Sequence, residues 1–186
     1  MIVKFFELKK HLKKNTNFYL LYGPNTGFID ETIDNTLKPI FSKNIFNYDE
    51  SEILVNIDEF KENIFNKSFF DDDKLVIINR ASDKILNVIE SVVDEGISET
   101  VIIIKSNTLE KKSKLRNFFE KNENTIIISF YEDNHQTLMG IAQNFFKEKK
   151  IKISPQNINY IVERSKGNRI SLKNVLEKIE NFSQKK

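Results

Sequence analysis

Phe18-Tyr19-Leu20-Leu21-Tyr22-Gly23-Pro24-Asn25-Thr26-Gly27-Phe28-Ile29-Asp30 is the stretch from which the fold is read. Its first five residues are a continuous apolar and aromatic run that ends in Gly23-Pro24-Asn25, which predicts a buried strand followed by a turn. Ile29, Ile33, Leu37 and Phe41 then recur at helical spacing, with Asn25 or Thr26 placed to cap the helix. Strand, glycine turn and helix are the setting of a phosphate-binding loop, so the residues are compared with that motif one by one. Gly23 fits the first glycine. Phe28 stands at the second glycine, Ile29 at the lysine and Asp30 at the Ser or Thr. Ile29 brings no cation to a phosphate, and Asp30 puts a negative charge where a polyphosphate would lie. The expectation is a tight structural turn, a degenerate nucleotide site and no cofactor.

Outward from this stretch, apolar runs at Ile45–Tyr48, Leu75–Ile78, Val101–Ile104 and Thr125–Ile128 alternate with helical patterns. These are Ile57, Phe60 and Ile64; Ile85, Val88, Ile89 and Val92; and Leu109, Leu115, Phe118 and Phe119. The alternation predicts the α/β class, with a parallel sheet covered on both faces. After Leu75–Ile78 a phosphate-loop ATPase would carry Asp-Glu, to hold magnesium and activate water. Asn79-Arg80 stands there instead, and neither residue serves as ligand or base.

Beyond Phe130 the strands cease. Leu138, Ile141, Ala142, Phe145 and Phe146 mark one helix. Ser154-Pro155-Gln156 opens a second with a serine cap and a first-turn proline. Gly167-Asn168 closes it, and Leu172, Val175, Leu176 and Ile179 mark a third. The expected organisation is an α/β domain over residues 1–133 and a small helical domain over residues 134–186.

Composition bounds the function. The 186 residues carry 30% charged and 39% hydrophobic residues, with a formal net charge of +2, too near neutral for a dedicated nucleic-acid binder. There is no cysteine, and His11 and His135 are far apart, so neither a disulfide nor a metal site is expected. No apolar run is long enough to cross a bilayer, and Met1-Ile2-Val3-Lys4 opens no signal peptide, which points to the cytoplasm. Phe5, Leu8 and Leu12 among Lys9, Lys10, Lys13 and Lys14 predict an amphipathic first helix with a solvated lysine face.

One feature remains in Asn63-Ile64-Phe65-Asn66-Lys67-Ser68-Phe69-Phe70-Asp71-Asp72-Asp73-Lys74. At about 100° per residue, Phe69 falls far from the stripe of Ile57, Phe60 and Ile64, and Phe70 falls at its margin. The three aspartates sit badly at the negative end of a helix, so the helix is expected to stop near Phe70. Two readings stay open: the pair packs beneath the following loop, or at least one ring faces solvent.

Ser68-Phe69-Phe70, a short loop, an apolar strand and Asn79-Arg80-Ala81 together resemble the clamp-binding element of the delta subunit of the bacterial DNA polymerase III clamp loader. Tyr19-Leu20-Leu21-Tyr22-Gly23, Lys105-Ser106-Asn107-Thr108-Leu109 and the stretch from Gly167 to Lys178 resemble the same family. The resemblance implies an AAA+-like domain with a degenerate phosphate loop, followed by a three-helix lid. It implies a subunit that is not itself an ATPase, in which Ser68, Phe69 and Phe70 meet a pocket on the sliding clamp (the beta subunit) and the ring opens. Other loader subunits would be partners of the full-length protein, DNA contact would be weak, and no membrane would be involved. The family adds a third, collar domain to which nothing in these residues corresponds. Arg169 matches a region where loader ATPases sense phosphate; without nucleotide, a structural salt bridge is expected. The competing readings are a phosphate-loop ATPase or nucleotide kinase, a nucleic-acid enzyme, and a generic protein-interaction module. Asp71-Asp72-Asp73 reads as an exposed acidic loop.

Overall fold

The computed structural model describes residues 1–12, 16–41, 44–65, 74–97 and 100–183. The chain forms two compact units, Met1–Phe130 and Tyr131–Lys186. In the first, a 3₁₀ turn and the short helix α1 (Leu8–His11) lead to β1 (Phe18–Tyr22). Helix α2 (Thr26–Thr32) passes through a π-helical turn into α3 (Lys38–Phe41). Next come β2 (Asn44–Asp49), α4 (Glu50–Val55), α5 (Ile57–Phe65), β3 (Lys74–Asn79), α6 (Leu86–Glu95), β4 (Thr100–Ser106), α7 (Lys114–Lys121) and β5 (Thr125–Ser129). The sheet is wholly parallel, in the order β2-β3-β4-β1-β5.

The inner strands are Ile-, Val- and Leu-rich because both of their faces are covered, and all five residues of β1 are buried. Alternation divides them between two cores. Leu20, Val76, Ile102 and Ile127 pack with Phe60, Val88 and Leu115, while Tyr19, Leu75, Ile103 and Ile126 pack with Leu8, Ile33 and Leu37. The strand at one edge, β5, is lined by the start of the chain: Val3 donates its N–H to Ile127 O at 3.0 Å, and the Ile127 N–H reaches Met1 O at 3.1 Å. The other edge is β2.

Two expectations from the sequence need correction. Ile57 is 37% exposed and does not continue the core stripe. Asn56 leaves helical geometry at φ −139° and ψ 74°, so the helix restarts at Ile57, and Ile53 joins Phe60 and Ile64 in the core instead. Leu109 is not on a helix, because α7 starts only after Ser113, whose hydroxyl accepts the Arg116 N–H.

The C-terminal ends of β1 and β5 approach closely at Gly23. Phe130 N–H donates to Tyr22 O at 2.8 Å, and a Cβ placed on Gly23 would lie 2.1 Å from Phe130 O. With φ at +141°, this position takes glycine on two counts.

The second unit contains α8 (His135–Glu148), α9 (Pro155–Arg164) and α10 (Arg169–Ser183). Leu138, Ala142, Phe146, Ile158, Val162 and Leu172 meet at its centre. Each helix entrance is capped by a side chain: Asn134 accepts the Thr137 N–H, Ser154 that of Asn157, and Asn168 that of Ser171. Arg169 makes two bonds of 2.7 Å to Asp133, with both side chains 5% exposed. This buried pair fastens Tyr131-Glu132-Asp133 to the helical unit, so the division falls just after Phe130.

Two substitutions test these anchors by urea unfolding. Gly23→Ala should destabilise the protein by at least about 2 kcal/mol, because backbone must move as well as strain. Gly96→Ala, at φ +73° with nothing within 4 Å of an added Cβ, should cost only about 1 kcal/mol. Removing one partner of a buried ion pair typically costs about 3–5 kcal/mol, and replacing both by apolar residues avoids most of it. Arg169→Ala should therefore lower stability sharply, and Arg169→Met with Asp133→Leu should recover most of the loss.

Candidate functional site at the carboxyl ends of the strands

In an open parallel sheet, ligands bind outside the carboxyl ends of the strands. There Thr26 and Ile29 from the turn and helix after β1, Asn79 and Arg80 from the end of β3, and Lys105 and Ser106 from the end of β4 surround a cavity of about 130 Å³. Ligand pockets usually span about 300–1,000 Å³, and this one lies below that range. Its walls are laced by hydrogen bonds. Gly23 N–H donates to Ser106 O at 3.3 Å, Ala81 N–H to Lys105 O at 2.9 Å, and the Ser106 hydroxyl to Ala81 O at 2.6 Å.

Each phosphate-loop position has an internal partner. The amide of Phe28 donates to the Asn25 side chain at 3.1 Å, the role a phosphate oxygen takes when a helix N-terminus holds an anion. The Phe28 ring meets Phe5 at 4.4 Å and Phe130 at 5.2 Å between centroids. Ile29 is buried in the core. Asp30 pairs with Lys105 Nζ at 2.5 Å, so the nearest lysine is neutralised by the residue standing where the motif has Ser or Thr. In the sequence Lys105 stands only within the family-like stretch Lys105–Leu109; its pairing with Asp30 is not legible there, because only folding brings β4 beside α2.

At the end of β3, the Asn79 side-chain amide donates to Tyr48 O at 3.2 Å. Arg80, in left-handed backbone geometry at φ 56°, pairs with Asp49. Its charge thus turns toward β2. One turn on, Asp83 accepts bonds from the Ser113 hydroxyl at 2.6 Å, Leu115 N–H at 3.0 Å and Lys114 N–H at 3.1 Å. The Ser113 bond, then that from Leu115, holds its carboxyl below the usual carboxylate range and ties α7 to this corner. Among the described residues, no group of three or more His, Asp or Glu could hold a metal ion, and no helix is long and apolar enough to cross a membrane.

Ser68, Phe69 and Phe70, with Asp71-Asp72-Asp73, lie outside the described residues. The described elements on either side of them are α5 and β3. Lys74 Nζ donates to Asn63 O at 3.1 Å, which joins the end of α5 to the start of β3, and Ile64 is buried against the sheet.

A comparison with curated protein sequences finds no match. Among solved structures, the chain is similar to the Bacillus subtilis DNA clamp loader delta protein (YqeN), with TM-score 0.62 and 20% identity over 95% of this chain and 57% of that one. It is also similar to the Thermotoga maritima RuvB Holliday junction branch migration motor, with TM-score 0.62 and 17% identity over 94% and 58% of the two chains. Domain III of the Thermotoga maritima replication initiation protein DnaA matches with TM-score 0.55 and 14% identity over 97% and 81%. These likenesses show an AAA+-like fold, and the chain spans little more than half the length of the first two. The family model for the DNA polymerase III delta subunit matches residues 19–131. That match takes in β1 through β5, the degenerate phosphate loop and the Ser68–Phe70 segment, and it covers more than half of the sequence: the chain belongs to the DNA polymerase III delta subunit family.

Proposed function

We propose that this chain serves as the clamp-opening arm of a clamp loader and neither binds nor hydrolyses ATP itself. The family match over residues 19–131 carries the reading, because it includes both the altered phosphate loop and the segment between α5 and β3. Phe69 and Phe70 act as aromatic anchors in a pocket of the sliding clamp, and Ser68 lies beside them. Their docking favours a strained ring interface, and partner subunits supply the ATP chemistry. Asn25, Phe28, Asp30 and Lys105 support the absence of nucleotide chemistry, because they satisfy one another.

An anchor of this kind accounts for about 2–4 kcal/mol on truncation, against about 0–1 kcal/mol for an exposed charge. By surface plasmon resonance, Phe69→Ala with Phe70→Ala should weaken binding to the cognate clamp at least about a hundredfold. Asp72→Ala should change it little. Clamp binding as tight as the parent's, by a double variant with an unchanged melting temperature, would refute the role. If the double variant unfolds, a photo-crosslinking residue at Phe70 of an otherwise intact chain decides: capture of the clamp supports the docking, and no capture contradicts it.

A further inference from the structure

The outer edge of β2 and the helices beside it form a surface that the clamp reading does not use. Strand β2 ends the sheet and pairs with β3 along its inner side. It carries two adjacent exposed apolar side chains, Ile45 at 39% and Phe46 at 40%. In a parallel pair, alternate residues aim their N–H and C=O at the same neighbour. The Asn79 side-chain amide reaches Tyr48 O from the β3 side, and by this alternation the main-chain groups of Ile45 and Asn47 fall on the open side. A groove of about 320 Å³ runs from this edge onto α4 and α5, within the usual range for binding pockets. Tyr48, Ile53 and Phe60 supply its apolar lining, and Asn47, Glu52 and Glu59 its polar part.

The stretch that lines the groove is rich in carboxylates, two of which, Glu52 and Glu59, face into it. From Asn44 to Asn63 there are six carboxylates, Asp49, Glu50, Glu52, Asp58, Glu59 and Glu62, against the single Lys61. Asp49 faces Arg80, and Glu50 accepts from Ser82. Glu52 and Glu59 accept only neutral donors, the Asp49 N–H at 2.7 Å and the Asn56 amide at 2.6 Å, and no cation pairs with either among the described residues. Natural sheets guard an open edge with lysine, proline or a covering segment. In the described part of β2, apolar side chains stand there beside uncompensated carboxylates.

We infer that the β2 edge receives an extended, lysine- or arginine-bearing segment of a partner protein, which adds as a further parallel or antiparallel strand and sets a cationic side chain between Glu52 and Glu59. Main-chain bonds to Ile45 and Asn47 give the affinity, and the acidic groove selects the charge. The test is fluorescence anisotropy of the intact chain with a labelled, end-capped peptide of alternating lysine and valine. A glutamate–valine peptide and a lysine–valine peptide N-methylated on successive residues, so that both of its edges are blocked, serve as comparisons. The lysine peptide should bind, and the glutamate peptide should not. N-methylation, Asn47→Pro, and Glu52→Lys with Glu59→Lys should each weaken binding about tenfold or more. Equal binding of the lysine and glutamate peptides, or no binding of either, would overturn the proposal. So would an N-methylated peptide that binds as tightly as its parent, since charge alone would then account for the contact. The N-methylated comparison uses the unaltered chain, so it decides even if Asn47→Pro fails to fold.

Discussion

Burial of a parallel sheet on both faces is the constraint on which the first unit depends. Once β1, β3 and β4 are covered by helices above and below, backbone polar groups there are committed to the ladder and side chains to the two cores. What remains for function is the loops at the carboxyl ends, the edge strand, and the connection between α5 and β3. The altered phosphate loop occupies the first of these places.

In the altered phosphate loop the side chains partner one another while the fold is kept. Gly23 is retained because the chain needs it for packing: the Phe130 carbonyl lies where a Cβ would be. The remaining positions have turned inward. Asn25 takes the helix amide, the Phe28 ring joins Phe5 and Phe130, Ile29 enters the core and Asp30 holds Lys105. The Asp30 pair is partly exposed and worth little in stability; its consequence is electrostatic, since it cancels the lysine charge nearest the cavity. A buried ion pair does different work in the second unit, where Arg169 and Asp133 are nearly inaccessible and fix the start of the unit to its last helix.

Much of this was legible in the sequence because periodicity reports burial. Five apolar runs became five strands, and the Ser154-Pro155 and Gly167-Asn168 signals marked helix boundaries by local hydrogen bonding that needs no tertiary context. The substitutions at Phe28, Ile29 and Asp30 were legible for the same reason, since a motif with fixed spacing exposes its own replacements. The legible part stops where contacts are long-range. Nothing in sequence joins Lys105 to Asp30 or Arg80 to Asp49, and Asn56 gives no clear warning that it interrupts a helix and turns Ile57 toward solvent. Leu109 reads as helical because hydrophobic spacing cannot locate an N-terminus that Ser113 and Asp83 define by hydrogen bonds.

The proposed absence of ATP binding is tested most directly by thermal unfolding of the chain with and without millimolar Mg-ATP. A ligand at a hundred times its dissociation constant adds about 2.7 kcal/mol of apparent stability, a shift readily seen in a melting curve. With Asn25, Phe28, Asp30 and Lys105 already partnered, the expected result is an unchanged midpoint; a clear, concentration-dependent rise with Mg-ATP would contradict it.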